Sequence, residues 1–289
     1  MKANNLRPFQ AKVWEKLAQD TLLPRPELDQ LSIKEVETLL RDPLGPTSVV
    51  RYKRPIAEEW LVQIPFLQLI REFLLMVEQA GEMKLTPKGN LNRKTCHELY
   101  GKGLVKDEHI ETGWIKLNKE EDSMVLQNVK ILSIMAGLVK KRKNKLSLTA
   151  RGTKLLAEDA REALFKRIFE LNYSEFNLGY HDAYPEQAAA QRRFGYFLYL
   201  LVKYGEEMRP LDVYIEKYLQ AFPDDLYPFG NRQDAKGSLT SCYWVRIFKR
   251  FLLYYGFIDY TTNLVRGVFE RDIKLKTTAL FRGVFELKP

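Results

Sequence analysis

Lys140, Lys141, Arg142, Lys143 and Lys145 crowd into one short stretch with no carboxylate beside them. From Ser123 to Ala157 the chain has no acidic residue at all, and Lys130, Arg151 and Lys154 add to its basic ones. Side chains of this kind, set close together on a protrusion, hold phosphates and gain affinity by releasing the counterions those phosphates carry. The formal net charge of +9 is local: residues 81–156 hold 16 basic and 8 acidic side chains, against 11 and 11 before them and 19 and 18 after. A plainer reading stands beside the first, in which lysines line an exposed hairpin edge and keep it from pairing with another chain. Solubility alone, however, is ordinarily met by mixed charge.

Other chemistry has thinner support. The histidines are His97, His109 and His181. Cys96 and His97 are neighbours, which on a helix point about 100° apart and not at one metal. His181, Asp182 and Glu186 have spacings that ligands could take, yet a polar loop over 177–186 accounts for them equally. No HExxH, P-loop, GxSxG or GxGxxG sequence occurs, so the chain reads as a non-enzyme without cofactor or metal. Cys96 and Cys242 are too isolated for a disulfide framework and read as free thiols in a reducing compartment. The N-terminus lacks a secretory pattern. The most apolar stretch, Trp60 to Ala80, is broken by Gln63, Pro65, Gln68, Arg71, Glu72 and Glu78, which a bilayer core penalises. The expectation is a cytoplasmic protein with no membrane contact.

The elements that must position the basic run are legible in part. Residues 1–58 read as an N-terminal helical arm, with a capping box at Ser32-Ile33-Lys34-Glu35, a helix to Arg41 and a short strand near Val49 to Tyr52. A long helix around Phe66 to Ala80 stops at Gly81. Then Lys84-Leu85-Thr86-Pro87-Lys88-Gly89-Asn90-Leu91 follows one helix, and Leu146-Ser147-Leu148-Thr149-Ala150-Arg151-Gly152 follows another that ends at Gly137. Both read helix, Gly, strand, Leu-Thr-x-x-Gly, helix. Glycine lets a helix stop within one residue, alternation puts Leu146 and Leu148 on one strand face, and Ser147 or Thr149 can cap the next helix. A degenerate third copy reads as the helix Ser241 to Tyr255, then Gly256-Phe257-Ile258, then Ile273 through Thr277-Thr278-Ala279 to Phe281, with Ala279 in the place of the glycine, a match that short apolar-basic runs also make by chance.

Residues 157–289 hold 13 of 15 tyrosines and 13 of 16 phenylalanines and read as a separate aromatic-rich domain. Its rings recur at helical spacing, as in Phe194, Phe197, Leu198 and Leu201, which points to core packing over base stacking. Any exposed remainder would mark a site for a protein partner or self-association. Arg266-Gly267-Val268-Phe269-Glu270 recurs as Arg282-Gly283-Val284-Phe285-Glu286, either two matching strands or a coincidence.

Helix, Gly-Leu-Val, basic hairpin and Leu-Ser-Leu-Thr-Ala-Arg-Gly resemble the C-terminal half of a bacterial winged-helix domain. The paired segments resemble uncharacterised bacterial proteins carrying both in this order, over about residues 60–171. In winged-helix regulators the helix before the hairpin enters the major groove and the wing touches phosphate or the minor groove. Here that helix, Val125 to Met135, has apolar residues all the way round and no face for reading bases. The expected architecture is mainly α (α+β): an arm over 1–58, tandem winged-helix-like units with small antiparallel hairpins over 59–156, and an aromatic-rich helical domain with a strand pair over 157–289. The expected function is binding of DNA or another nucleic acid through backbone contacts from Lys130, Lys140, Lys141, Arg142, Lys143, Lys145 and Arg151. The rival is a protein-interaction scaffold in which such modules only pack.

Overall fold

A computed structural model describes residues 16, 19–180, 182–185, 190–230, 234–265 and 269–288. The chain is mainly α-helical with small antiparallel sheets. After α1 (Ile33–Arg41) and β1 (Val50–Tyr52), the first unit begins with α2 (Pro65–Ala80). Pro65 supplies its first residue, where a missing N–H costs nothing. There follow β2 (Met83–Lys84), α3 (Arg93–Tyr100), α4 (Met124–Met135), β3 (Val139–Arg142), β4 (Lys145–Leu148) and α5 (Ala150–Leu156). The sheet order is β2-β4-β3, with Met83 opposite Leu146 and Val139 opposite Leu148. The two Leu-Thr-x-x-Gly segments therefore belong to one unit. The first supplies the outer strand on which the second pairs.

The wider recurrence lies further along the chain. Beyond α6 (Arg161–Ser174) come α7 (Phe194–Tyr204), β5 (Arg209–Pro210), α8 (Leu211–Ala221), α9 (Ala235–Tyr243, widening to a π-helix over Trp244–Leu252), β6 (Ile258–Val265), β7 (Phe269–Thr277) and α10 (Ala279–Val284). The sheet order is β5-β7-β6, the same arrangement. The register repeats as well: Met83 faces Leu146 as Arg209 faces Leu275, and Lys141 faces Leu146 as Tyr260 faces Leu275.

The handover chemistry also repeats. Gly137 and Gly256 have φ of 70° and 69°. Thr149 Oγ1 donates to Gly137 O at 2.6 Å and accepts from Gly152 N, and Thr278 Oγ1 donates to Gly256 O at 2.8 Å and accepts from Phe281 N. The third copy is thus aligned by its threonine, which puts Phe281, and not Ala279, at the position of Gly152.

Repetition of Arg-Gly-Val-Phe-Glu does not give two matching strands. Thr278 caps α10, so Arg282-Gly283-Val284 complete that helix, and only Phe285–Leu287 form a strand, β8, paired with β1. Gly283 is needed there because a Cβ would lie 2.5 Å from the Trp60 ring. Arg266-Gly267-Val268 lie outside the described residues.

One apolar core runs from the arm through both units, with Phe165 and Phe169 of α6 packed against Tyr255, Phe257 and Phe285. The arm is held twice. Val50 pairs with Leu287, and Asp29 receives Lys203, Lys217 and Tyr204 on its carboxylate while its carbonyl accepts from Tyr199.

Candidate nucleic-acid interface

The tip of the basic hairpin is a two-residue turn. Lys143 and Asn144 both have positive φ, 47° and 53°, as the tight turns that suit twisted hairpins require. Asn144 O accepts from Leu85 N at 2.8 Å and its side-chain amide donates to Pro87 O at 3.4 Å, so the tip is braced against the turn that follows β2. Residues opposite one another in a sheet share a face. Lys84 faces Lys145, Lys145 faces Arg142 and Lys140 faces Ser147, so one outer face carries Lys84, Lys145, Arg142 and Lys140. Lys141 lies on the other face, its ammonium directly over Gly89.

Lys140, Lys141, Arg142 and Lys143 are exposed, and so are Lys84 and Lys88. Glu82 stands at the foot of this face and bonds Lys145 at 2.5 Å. That hydrogen bond, and then the charges of Lys145, Arg142 and Lys140, hold its carboxyl below the ordinary value.

Lys130 does not join this surface. It is 8% exposed, its ammonium paired with buried Glu120 and within 3.2 Å of the Gly89 carbonyl. Glu120 also accepts from Leu91 N at 2.5 Å. Lys130 therefore ties α4 to the turn after β2. Most of α4 is covered too: Val125, Leu126, Val129, Leu132 and Ser133 are fully buried and Gln127 and Asn128 nearly so, while Met124, Ile131 and Ile134 are half-buried and Met135 at its end is exposed, none of them able to read bases by hydrogen bonds. Arg151 is exposed, but its guanidinium donates to Ala136 O at 3.3 Å, at the end of α4. Lys84 and Lys88 were missed in the sequence. Their only signal was Met83-Lys84-Leu85, a strand-like alternation whose partner is distant.

The other candidate clusters come apart. Asp182 is occupied by Arg246, a buried pair at 2.6 and 2.9 Å, while His181 and Glu186 lie outside the described residues. Among the described residues no group of three or more His, Cys, Asp or Glu is placed to hold a metal ion, and no helix is long and apolar enough to cross a membrane. Cys96 and Cys242 are buried, which raises each thiol to about 12. Tyr196, Tyr214 and Tyr218 are fully buried and Phe197 stacks on Tyr218 at 4.8 Å, so these rings are core.

The second hairpin occupies the same place in its unit and differs in charge. Residues 258–277 contain Arg266, Arg271, Lys274 and Lys276 against Asp259, Glu270 and Asp272, whereas residues 139–148 contain five basic side chains and no acid. Asp259 stands opposite Lys276 in the second hairpin, whereas in the first the acid is Glu82, outside residues 139–148, paired with Lys145. A family model described as the Y4jL N-terminal domain matches residues 63–162, and the chain is similar to it over the first unit, from α2 to the start of α6. No curated protein and no solved structure matches the chain.

Proposed function

We propose that this protein binds nucleic acid, in our reading DNA, through the wing of its first unit and with little sequence specificity. The order helix, strand, two helices, hairpin and helix, with the first strand paired to the second strand of the hairpin, supports reading this unit as winged-helix-like. The observation that carries the reading is the contrast between two equivalent hairpins in one chain. The base of the hairpin has the same register in both, Val139 opposite Leu148 as Ile258 opposite Thr277, although the second is longer and bulged after Thr261, so that pairing does not by itself demand the charge excess of the first. The contacting set is Lys140, Lys141, Arg142 and Lys143, joined by Lys84 and Lys88, with Arg151 at its border. Because α4 is buried, the contacts fall on phosphates, which position a protein without reading bases.

Binding of a mixed-sequence duplex measured against salt tests this. Six phosphate contacts give a slope of log Kobs on log salt of about −5.4, at about −0.9 per phosphate. Changing Lys140, Lys141, Arg142 and Lys143 to Ser should flatten it by about 3.6, while Lys274→Ser with Lys276→Ser leaves it unchanged. A flat response of the unaltered protein, or an unaffected wing variant, overturns the reading.

A scaffold role is the second reading. It draws on the burial of both α4 and α9, where Arg246, Ile247 and Phe248 are covered. A protein that elutes as a monomer and binds the duplex through its wing excludes it.

A further inference from the structure

Trp114 is the most exposed tryptophan among the described residues, at 66%, and Ile115 beside it is 40% exposed. They sit in the connection between α3 and α4, and the backbone that presents them is ordered. Thr112 N donates to Glu108 O, Gly113 N to Ile110 O and Ile115 N to His109 O, with Gly113 taking the left-handed φ of 79° that ends the turn. Acids in this connection are already engaged: Glu111 with Lys106 and Tyr100, Glu108 with Lys249, and Asp122 with the backbone of Asn118 and Lys119. Lys116 and Lys119 are exposed and have no ion pair among the described residues.

This loop is joined to the wing. Glu121 bonds Asn90 at 2.7 Å, and the turn containing Asn90 carries the Pro87 carbonyl that receives Asn144 at the hairpin tip. Seven steps along the chain separate Trp114 from Glu121, a reach of at most about 25 Å. The Trp114 loop is thus tied through Glu121 and Asn90 to the turn that braces the hairpin tip. The corresponding connection of the second unit also exposes an aromatic, Tyr227 at 78%, but its near neighbours are the exposed Asp224 and the half-buried Asp225, the latter paired with Arg193. The aromatic with cationic neighbours is the one on the unit with the basic wing.

Resting on the proposal that the wing holds nucleic acid, we infer that Trp114 stacks on an unpaired base of that same nucleic acid, so that the preferred partner is single-stranded or locally opened. A flat indole beside ammonium groups suits this chemistry, because every base offers a π-face and stacking needs no particular sequence. An apolar protein partner would favour an uncharged surround.

The test compares an oligothymidylate with a mixed-sequence duplex at fixed salt. Trp114→Ala should weaken oligothymidylate binding about 5- to 150-fold and duplex binding by less than about twofold, and Trp114→Phe should keep most of the affinity. The oligothymidylate should also quench indole emission in the unaltered protein, and the Trp114→Phe variant should lose that quenching. Unchanged oligothymidylate affinity in Trp114→Ala, an equal loss on the duplex, or self-association abolished by the substitution overturns the stacking role. Failure of the wing reading looks different: the four-serine wing variant would then bind both probes as the unaltered protein does. If the unaltered protein binds neither probe, both proposals fall.

Discussion

Lys130 and Lys143 belong to the same acid-free window and meet opposite fates, one buried against Glu120 and one at an open turn. Both charges are plain in the sequence, but only geometry separates a structural cation from an available one. A hint was present: a helix with apolar residues on every side offers no exposed face, so a lysine within it must turn inward or distort the packing. Replacing Lys130 by Met leaves Glu120 buried without its counter-ion, which should cost about 3 to 5 kcal/mol in denaturant unfolding. The salt dependence of the proposed nucleic-acid binding should not move. A flattened slope in a folded Lys130→Met protein would return this residue to the interface. The reverse pattern belongs to Lys143, whose loss should alter binding and leave stability nearly unchanged.

At the scale of elements, helix-to-strand handovers were the most legible feature, since each depends on residues close in sequence. Gly137 and Gly256 are the clearest instances, and replacing Gly137 with Ala should destabilise by about 1 to 2 kcal/mol, measured by thermal unfolding, and Gly256 by at least as much, because a Cβ there would also lie 3.0 Å from Pro65. A neutral change at either would remove it from that role. Gly152→Ala should cost more, because its Cβ would fall 2.0 Å from the Leu138 carbonyl. The pairing of β2 with β4 was not legible, as its partners are dozens of residues apart and β2 is only two residues long. Arg-Gly-Val-Phe-Glu misled for a related reason. Five letters suggest a strand, while a threonine just upstream starts a helix in one copy.

Over the whole molecule, the arm is joined to the second unit by groups that no local pattern associates. Burial alone would raise the Asp29 carboxyl, but hydrogen bonds from Lys217, Lys203 and Tyr204 bring it below the ordinary value. A carboxyl lowered on folding adds stability that is present above the unfolded pKa, about 4, and is lost as pH falls through the folded value. Asp29→Asn should therefore cost about 1 to 3 kcal/mol at neutral pH, between the values for exposed and buried pairs, and much less in acid. Thermal unfolding across pH 3 to 7 checks it, and an equal cost at both ends of that range would count against the linkage. The pairing of Val50 with Leu287 brings the arm and β8 together across nearly the full length of the chain. On a ribosome, β1 emerges long before its partner. The clasp closes only after residue 287 has cleared the exit tunnel, which makes it a late step of biosynthesis.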